Sequence, residues 1–99
     1  MALEPLDLEE ILDYLSKLNG WDEFNQDFIS KSFHFVDFKE ALEFVNKISV
    51  ICEAQNHHPK IILSYGCVVV ELSTHDVDGL TIKDFELARL FDEVFENVK

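Results

Sequence analysis

The sequence EAQNHHPKIILSYGCVVVELSTHDVDGLTIKD, residues 53–84, contains the most informative signals for the fold of this 99-residue chain. It begins with a helix stop, because Pro59 disfavours the helical conformation of the preceding residue and has no backbone N–H to donate. Two apolar runs follow, residues 61–64 and 67–74, and predict strands that the Tyr-Gly pair between them either joins or interrupts with a bulge. The stretch therefore predicts the end of one helix followed by a strand pair.

Helices are predicted on both sides of this strand pair. Asp37 can accept the first backbone N–H groups of the longest helix, predicted over residues 38–56. Thr81, followed three residues later by Asp84, resembles a capping box and begins a last helix over residues 82–98. The predicted inward stripe of the longest helix consists of Phe38, Ala41, Leu42, Val45, Ile48 and Cys52, with Phe44 and Ile51 off it. The last helix has more apolar residues than one narrow stripe holds, so a partner subunit is expected to cover part of it.

The first third of the chain supplies another helix and another strand pair. Apolar residues at helical spacing predict a helix over residues 6–18, capped by Asp7. Residues 21–24 and 29–35 predict a hairpin whose second strand alternates apolar and polar positions. The predicted order is α-β-β-α-β-β-α in one domain spanning residues 1–99. This order indicates an α+β fold, with a four-stranded antiparallel sheet and three helices on one of its faces.

Composition and charge exclude several classes of function. Twenty Asp and Glu residues against eight Lys and Arg give a formal net charge of −12, so nucleic acid and anionic membranes are not expected partners. No apolar run approaches the roughly 20 residues that span a bilayer, and the N-terminus lacks the pattern of a secretory signal. Two cysteines without a disulfide framework suit a reducing compartment. The expected location is the cytoplasm, and also the nucleus if the source is eukaryotic.

Three of the four histidines lie within the quoted stretch, at His57, His58 and His75. Because imidazole titrates near neutral pH, this concentration points to proton transfer or ligand binding. Glu53 lies four residues before His57, so on a helix its carboxylate is predicted to hold that imidazole and fix its tautomer. Pro59 keeps His58 extended, and the His58 side chain is expected to point away from the helix.

The most specific motif in the chain is the spacing of these histidines and their neighbours. It reads Glu53-x3-His57-His58-Pro59-x5-Tyr65-x9-His75-x8-Asp84. This pattern resembles the signature of the pterin-4a-carbinolamine dehydratase family at every named position. The likeness extends over about residues 8–92, through Gly20-Trp21, residues 33–38, Thr74-His75 and residues 79–81. The set of matching spacings is far more specific than a single His-His-Pro.

The resemblance implies an activity and a set of site residues. Members of the family dehydrate 4a-hydroxytetrahydrobiopterin to the quinonoid dihydropterin, which restores the cofactor of the aromatic amino acid hydroxylases. The reaction needs acid and base groups but neither a metal nor a redox cofactor. By analogy, the catalytic residues are His57, His58 and His75, and the substrate-binding residues are Glu53, Asn56, Ser73, Thr74, Asp76 and Trp21. Pro59, Thr81 and Asp84 are assigned structural roles, and a homodimer or homotetramer is expected.

Other functions stay open at the level of sequence. Animal members of the family also bind a homeodomain transcription factor and stabilise its dimer, and the apolar surface of residues 82–98 permits a similar dimerisation module. The pocket could instead act on a different pterin. Three histidines also allow a zinc site, although adjacent His57 and His58 tend to diverge. Two further residues of the motif can have structural roles instead: Glu53 can be a solvated carboxylate, and Tyr65 can be a core residue.

Overall fold

Three helices and four strands follow one another in the predicted order. The structure is a computed structural model, and it describes residues 3–98 of the chain. Its elements are α1 (Leu8–Leu15), β1 (Asp22–Phe24), β2 (Phe28–His34), α2 (Phe38–Gln55), β3 (Lys60–Ser64), β4 (Cys67–Leu72), a 3-10 turn (His75–Val77) and α3 (Ile82–Val98). The α+β fold with a four-stranded antiparallel sheet is confirmed.

The helices begin at the predicted caps. Asp7 and Glu10 form a reciprocal capping box at α1, in which each side chain accepts the other residue's backbone N–H. Asp37 accepts the Glu40 N–H at 2.8 Å and caps α2. Helix α1 ends three residues earlier than predicted. The N–H groups of Lys17 and Leu18 bond to carbonyls three residues back instead of four, which tightens the chain into a turn.

The sheet order is β1-β2-β4-β3, and every neighbouring pair is antiparallel. Helix α2 carries the chain from β2 across to the edge strand β3, and a two-residue turn then returns β4 into the space between β3 and β2. Strand β4 is therefore central and bonds to two partners. Its pairing with β3 ends at Glu71 and its pairing with β2 ends at Leu72, so the loop that follows leaves one end of the sheet.

The core lies between the helices and one face of the sheet. Its largest fully buried side chains are Ile11, Ile29, Phe33, Phe44, Ile48, Val68, Val70, Leu72, Leu80, Leu87 and Phe91. Alternate residues of β4 are buried, as a strand with one covered face requires. No helix among residues 3–98 combines the length and the apolar character that crossing a membrane requires.

The predicted inward stripe of α2 is wrong in part. Phe38 and Leu42 are 44% and 39% exposed, whereas Phe44, predicted to lie off the stripe, is fully buried. The ring of Phe44 packs 4.7 Å from that of Phe33 and 5.2 Å from that of Phe35. Apolar residues occupy more than one face of this helix, so the periodicity of α2 alone does not determine which face is buried. The aromatic rings of the sheet select the face that contains Phe44.

The apolar surface of α3 is largely covered within the chain itself. Its buried residues are Phe85, Leu87, Ala88 and Phe91, and Leu90, Val94, Phe95 and Val98 are partly buried. Tyr14 of α1 stacks on Phe85 with ring centroids 5.1 Å apart. Ile82 is the exception and stays exposed. The width of this surface therefore does not by itself require a partner subunit, contrary to the expectation from sequence.

Both cysteines are free thiols, and Cys52 belongs to the core. Burial raises the pKa of the Cys52 thiol to about 11, and the neighbouring Glu53 carboxylate acts in the same direction. Because the thiolate is the reactive form, Cys52 is chemically inert at neutral pH in the folded state. Cys52 is a structural residue of the helix that leads to the histidines.

The Phe44 ring provides a test of this packing. Phe44→Ala should lower the free energy of unfolding by about 3–5 kcal/mol, because it leaves a cavity among three aromatic neighbours. Val36→Ala, at an exposed position just before the same helix, should change it by about 0.5 kcal/mol or less. Urea unfolding followed by circular dichroism measures both. Equal losses in the two variants would contradict the assigned face of α2.

Candidate active site

Two arms of the chain meet at a cavity of about 180 Å³. One arm is the end of α2 with the residues that follow it, and the other runs from the end of β4 into the 3-10 turn. This histidine cavity is lined by Asn56, His57, His58, Ser73, Thr74, His75 and Asp76. It thus brings together the three histidines assigned to catalysis and four of the six residues assigned to substrate binding.

The β3–β4 hairpin determines which residues of the two arms face each other. Its two-residue turn sets a register in which Lys60 pairs with Glu71. Continued by two residues, the same register brings His58 opposite Ser73, and both line the cavity. Register in a hairpin is fixed by the length of its turn. The meeting of the two arms is therefore a consequence of the tight turn at the far end of the strands.

The end of α2 turns the histidine pair out of the helix. Asn56 adopts the left-handed conformation, with φ 49° and ψ 46°, and the His57 N–H bonds back to the Cys52 carbonyl at 3.0 Å. Asparagine tolerates this conformation better than most residues, and it ends helices by satisfying their last carbonyls. Pro59 prevents the chain from resuming the helix. His57 is consequently directed away from the helical face that Glu53 occupies.

A fully buried carboxylate, Asp84, holds His57 in place. One Asp84 oxygen lies 2.8 Å from His57 Nε2, and the other accepts hydrogen bonds from Thr74 Oγ1 at 2.8 Å and the Thr81 N–H at 3.0 Å. The last of these bonds is the predicted cap of α3. The cap is therefore confirmed, and the same side chain also joins the two arms of the cavity. The sequence predicts a structural role for Asp84 and contains no local signal of its contact with a histidine.

The hydrogens around Asp84 all point toward it. Thr74 gives its single hydroxyl hydrogen to Asp84, so in the 2.7 Å Thr74–Thr81 contact the Thr81 hydroxyl is the donor. Thr81 Oγ1 in turn accepts the Lys83 N–H at 3.3 Å. This arrangement matches an ionised carboxylate, which only accepts. His57 Nε2 then carries a hydrogen and donates it to Asp84, and Nδ1 is the ring nitrogen left for a ligand.

The predicted Glu53–His57 pair is wrong. The structure pairs Glu53 with His58 instead, through a close contact between a carboxylate oxygen and Nε2. The left-handed Asn56 moves the chain away from the helical spacing on which the prediction was based, so the second histidine returns over the last turn. Both of these side chains are more than half exposed. The two adjacent histidines therefore bind different carboxylates and diverge.

His75 is presented by a short loop at the end of β4. Thr74 and Gly79 form an isolated bridge, with the Thr74 N–H 2.8 Å from the Gly79 carbonyl, and this bridge closes the loop. His75 begins the 3-10 turn inside it and is exposed. Among residues 3–98 no side-chain hydrogen bond of His75 is formed, so its imidazole is available to a ligand.

Several residues that the sequence singled out do not line the histidine cavity. Trp21, assigned to substrate binding, is buried against Phe33 and donates its indole N–H to Asp92 of α3 at 3.1 Å. Tyr65 is 75% exposed in the β3–β4 turn, at the opposite end of the strands from the histidines. Pro59 lines an adjoining cavity rather than this one. The structure thus gives Trp21 a packing role and does not place Tyr65 in the core.

The adjoining cavity contains residues that no sequence motif indicated. It has a volume of about 590 Å³ and is lined by Phe28, His58, Pro59, Lys60, Glu71, Ser73 and His75. Three of these residues also line the histidine cavity. Separately, no group of three or more His, Cys, Asp or Glu side chains within residues 3–98 is arranged to hold a metal ion.

Comparison with known proteins identifies close relatives of the chain. Residues 4–94 match the family model described as pterin 4 alpha carbinolamine dehydratase. A protein of Sulfurisphaera tokodaii that carries the name of a pterin-4-alpha-carbinolamine dehydratase is 42% identical over 92 residues, which cover 93% of this chain and 98% of that protein. A protein of Picosynechococcus with the same name is 46% identical over 85 residues, or 86% and 91% of the two chains.

Solved structures share the fold. A crystal structure from Brucella melitensis, described as a transcriptional coactivator/pterin dehydratase, matches with a TM-score of 0.88 and 32% identity over 92% of this chain and 98% of that chain. A pterin dehydratase-like RuBisCO assembly factor of the alpha-carboxysome matches with a TM-score of 0.68 at 19% identity, which is a likeness of fold alone. The matched family model, the extent of the relatives and the gathered histidines lead to one conclusion: the chain belongs to the pterin-4a-carbinolamine dehydratase family.

Proposed function

We propose that this protein removes water from a 4a-hydroxytetrahydropterin and forms the quinonoid dihydropterin. The observation that carries the proposal is the gathering of three histidines around one cavity, one of them held by a buried carboxylate. In this reaction the bond from C4a to its hydroxyl oxygen breaks, and a donated proton lets the oxygen leave as water. A base removes the proton on N5, and the double bond forms between C4a and N5. Two proton transfers are needed, and the ring is neither oxidised nor reduced overall.

His57 is suited to the step at N5. Its Nε2 hydrogen is donated to Asp84, so its Nδ1 has a lone pair that can accept a proton. The charge that then develops on the imidazole is stabilised by the adjacent carboxylate, as in other acid–base sites in which a carboxylate orients a histidine. Asp84 acts through His57 and is a positioning residue. In this proposal the proton for the leaving hydroxyl comes from one of the two exposed histidines, His58 or His75.

The charge of the protein agrees with a neutral substrate. A chain with a formal net charge of −12 repels phosphorylated ligands at long range, and the pterin ring is neutral near pH 7. The polar side chains of Asn56, Ser73 and Asp76 in the cavity offer donors and acceptors to such a ring. The proposal therefore assigns recognition to hydrogen bonding within the cavity rather than to attraction between charges.

The histidines give the most direct test. His57→Ala and His75→Ala should each lower kcat/KM for carbinolamine dehydration by roughly 10² to 10⁴, the usual contribution of a general acid or base. The rate is followed by absorbance during decay of freshly generated carbinolamine, corrected for the uncatalysed reaction. His34→Ala is the matched control, because His34 is exposed and pairs with Cys67 at the other end of the sheet. A wild-type protein that does not accelerate the decay would refute the proposed function.

The Asp84→Asn variant tests whether the Asp84 carboxylate positions His57 for catalysis or supports the fold alone. Asparagine can still accept a hydrogen bond from the Thr81 N–H, but it cannot stabilise a charged imidazole as the carboxylate does. We expect kcat to fall by roughly 10²-fold with little change in KM. Asp92→Asn is the matched control, since Asp92 lies on the same helix and bonds Trp21 and Lys31 away from the cavity. Equal kcat in the two variants would remove Asp84 from the mechanism.

Association through a helix is a second candidate function, and the exposed side of α2 favours it. Leu42 and Val50 line an open groove on this helix, and Val50 is 69% exposed. The related Brucella melitensis protein is described as a transcriptional coactivator as well as a pterin dehydratase. We propose that this surface of α2, rather than the α3 surface suggested by the sequence, binds a helix of another molecule.

Measuring self-association is the simplest test of this surface of α2. Leu42→Asp and Val50→Asp should lower the molar mass found by light scattering after gel filtration, because each places a charge in an apolar contact. Ile82→Asp, an exposed apolar position at the start of α3, should leave the mass unchanged. A monomeric wild-type protein, or variants with the wild-type mass, would exclude self-association through α2. Dehydration rates measured on the same samples show whether association and catalysis are independent.

A further inference from the structure

An apolar groove lies between the end of α1 and the start of α3, and we call it the α1–α3 groove. It has a volume of about 230 Å³ and is lined by Tyr14, Lys17, Leu18, Ile82, Phe85, Glu86 and Arg89. None of these residues lines either of the two cavities beside the histidines. The proposed chemistry therefore gives this groove no role.

Helical spacing explains why the groove residues meet. Residues 82, 85, 86 and 89 are three and four positions apart, so they share one face of α3. Tyr14 of α1 stacks its ring on Phe85, with ring centroids 5.1 Å apart and an angle of 21° between the planes. Phe85 is buried, whereas Ile82 is 42% exposed. The groove thus has an apolar base and an apolar edge that is open to solvent.

The size of the groove suits a single large side chain. Its volume of about 230 Å³ is below the roughly 300 Å³ at which small-molecule sites usually begin. Protein interfaces, in contrast, depend on a few large anchor side chains, each inserted into a small pocket of the partner. The α1–α3 groove therefore fits an anchor residue of another polypeptide better than a complete small ligand.

Carboxylates outnumber cations around the groove. A cavity along α1 shares Tyr14 and Lys17 with the groove, and its other lining residues are all acidic: Asp7, Glu9, Glu10 and Asp13. The only cations that line the two cavities are Lys17 and Arg89. Each already faces a carboxylate four residues away in sequence, Lys17 with Asp13 at 3.7 Å and Arg89 with Glu93 at 2.9 Å.

Two of the acidic residues beside the groove are available to a partner. Glu9 on α1 and Glu86 on α3 are exposed, and within residues 3–98 neither side chain forms a hydrogen bond or a salt bridge. Asp7 and Glu10, by comparison, are engaged in the cap of α1. Carboxylates without a counter-ion thus stand on both helices that border the apolar groove.

These charges select the kind of occupant. A second copy of the chain has a formal net charge of −12, and even its closest Lys and Arg residues, Lys83 and Arg89, are six positions apart in sequence. No segment of the chain is therefore basic enough to complement the groove of another copy. A basic amphipathic segment matches both properties, because its apolar face can enter a groove while its charged face meets the carboxylates.

We propose that the α1–α3 groove binds a basic segment of another protein. One large apolar side chain of that segment inserts between Tyr14, Phe85 and Ile82. Lys or Arg residues on either side of this anchor pair with Glu9 and Glu86. This surface is separate from the exposed side of α2, and the inference does not rest on the proposed dehydratase function.

A defined peptide tests the proposal with the whole protein. The probe is the peptide amide Lys-Ala-Lys-Trp-Leu-Lys-Ala-Lys, labelled with fluorescein at its N-terminus and followed by fluorescence anisotropy. Binding should saturate, and replacing its Trp and Leu by Ala should weaken it by about tenfold or more. Replacing its Lys residues by Glu should abolish it. Raising the salt from about 0.05 M to about 0.5 M should weaken it by about tenfold.

Variants of the protein examine the apolar and the charged contacts separately. Ile82→Ser should weaken binding of the peptide by about tenfold, because it removes the exposed apolar edge of the groove. Ile62→Ser is the matched control, since Ile62 on β3 is 46% exposed and does not line the groove. The double variant Glu9→Gln/Glu86→Gln should also weaken binding by about tenfold. Asp22→Asn/Glu43→Gln, which removes two exposed carboxylates on β1 and α2, should have wild-type affinity.

Backbone amide shifts in nitrogen–proton correlation spectra locate the peptide. The largest changes should fall within residues 9–18 and 82–89. Three results would overturn the proposal: no saturable binding up to about 1 mM peptide, equal affinities in the groove variants and their controls, or shifts confined to α2 or the histidine cavity. Equally tight binding of N-acetyltryptophanamide would identify a small-molecule site instead. Self-association that Ile82→Ser abolishes would identify a second copy as the occupant, and it too would overturn the proposal.

Discussion

The buried carboxylate of Asp84 is the interaction on which the site depends. It joins three separate parts of the chain: the residue after α2 through His57, the end of β4 through Thr74, and the start of α3 through the Thr81 N–H. A carboxylate without solvent contact is costly unless its oxygens are hydrogen bonded, and here each oxygen has a partner. The local cap of a helix thereby becomes the support of an imidazole. Stability and the proposed catalysis share the same few hydrogen bonds.

The sheet brings the two arms of the site to this carboxylate. Because β4 is central and returns from a two-residue turn, its end comes back beside the start of β3. The left-handed Asn56 and the following Pro59 then fix how the histidine pair leaves α2. The tight turn, the left-handed Asn56 and Pro59 are each local features, and together they give the two adjacent histidines different roles. His57 turns inward to Asp84, and His58 stays at the exposed rim with Glu53.

Packing determines which apolar residues of α2 and α3 are buried and which remain exposed, and the result differs from what their sequence patterns suggested. Helix α3 covers most of its apolar residues with α1 and the sheet, although its pattern suggested a surface for a partner. Helix α2 buries Phe44 against the rings of the sheet and leaves Phe38 and Leu42 outside. An exposed apolar patch of this kind is typical of an association surface. The proposed association therefore uses the exposed side of α2, and the proposed chemistry uses the residues that follow its end.

Much of the fold and the list of histidines could be predicted from the sequence, because caps, strand alternation and the proline are local signals. Asp7, Asp37 and the Thr81–Asp84 pair begin helices as predicted, since each bond spans only three residues. The choice of buried face on α2 and the partner of each histidine could not be predicted in this way. Both depend on residues brought together from distant positions, where helical spacing is no guide once the left-handed Asn56 intervenes.

The same division holds for the stretch from residue 53 to residue 84. Local signals within the stretch predict its helix end, its two strands, its cap and the residues able to move protons. The folded chain was needed to see that Asp84 holds His57, that Glu53 holds His58, and that Lys60 and Glu71 border a second cavity. Hydrogen-bond partners and cavity walls could not be read locally, because strand order and register set them. Those are properties of the whole sheet rather than of any one segment.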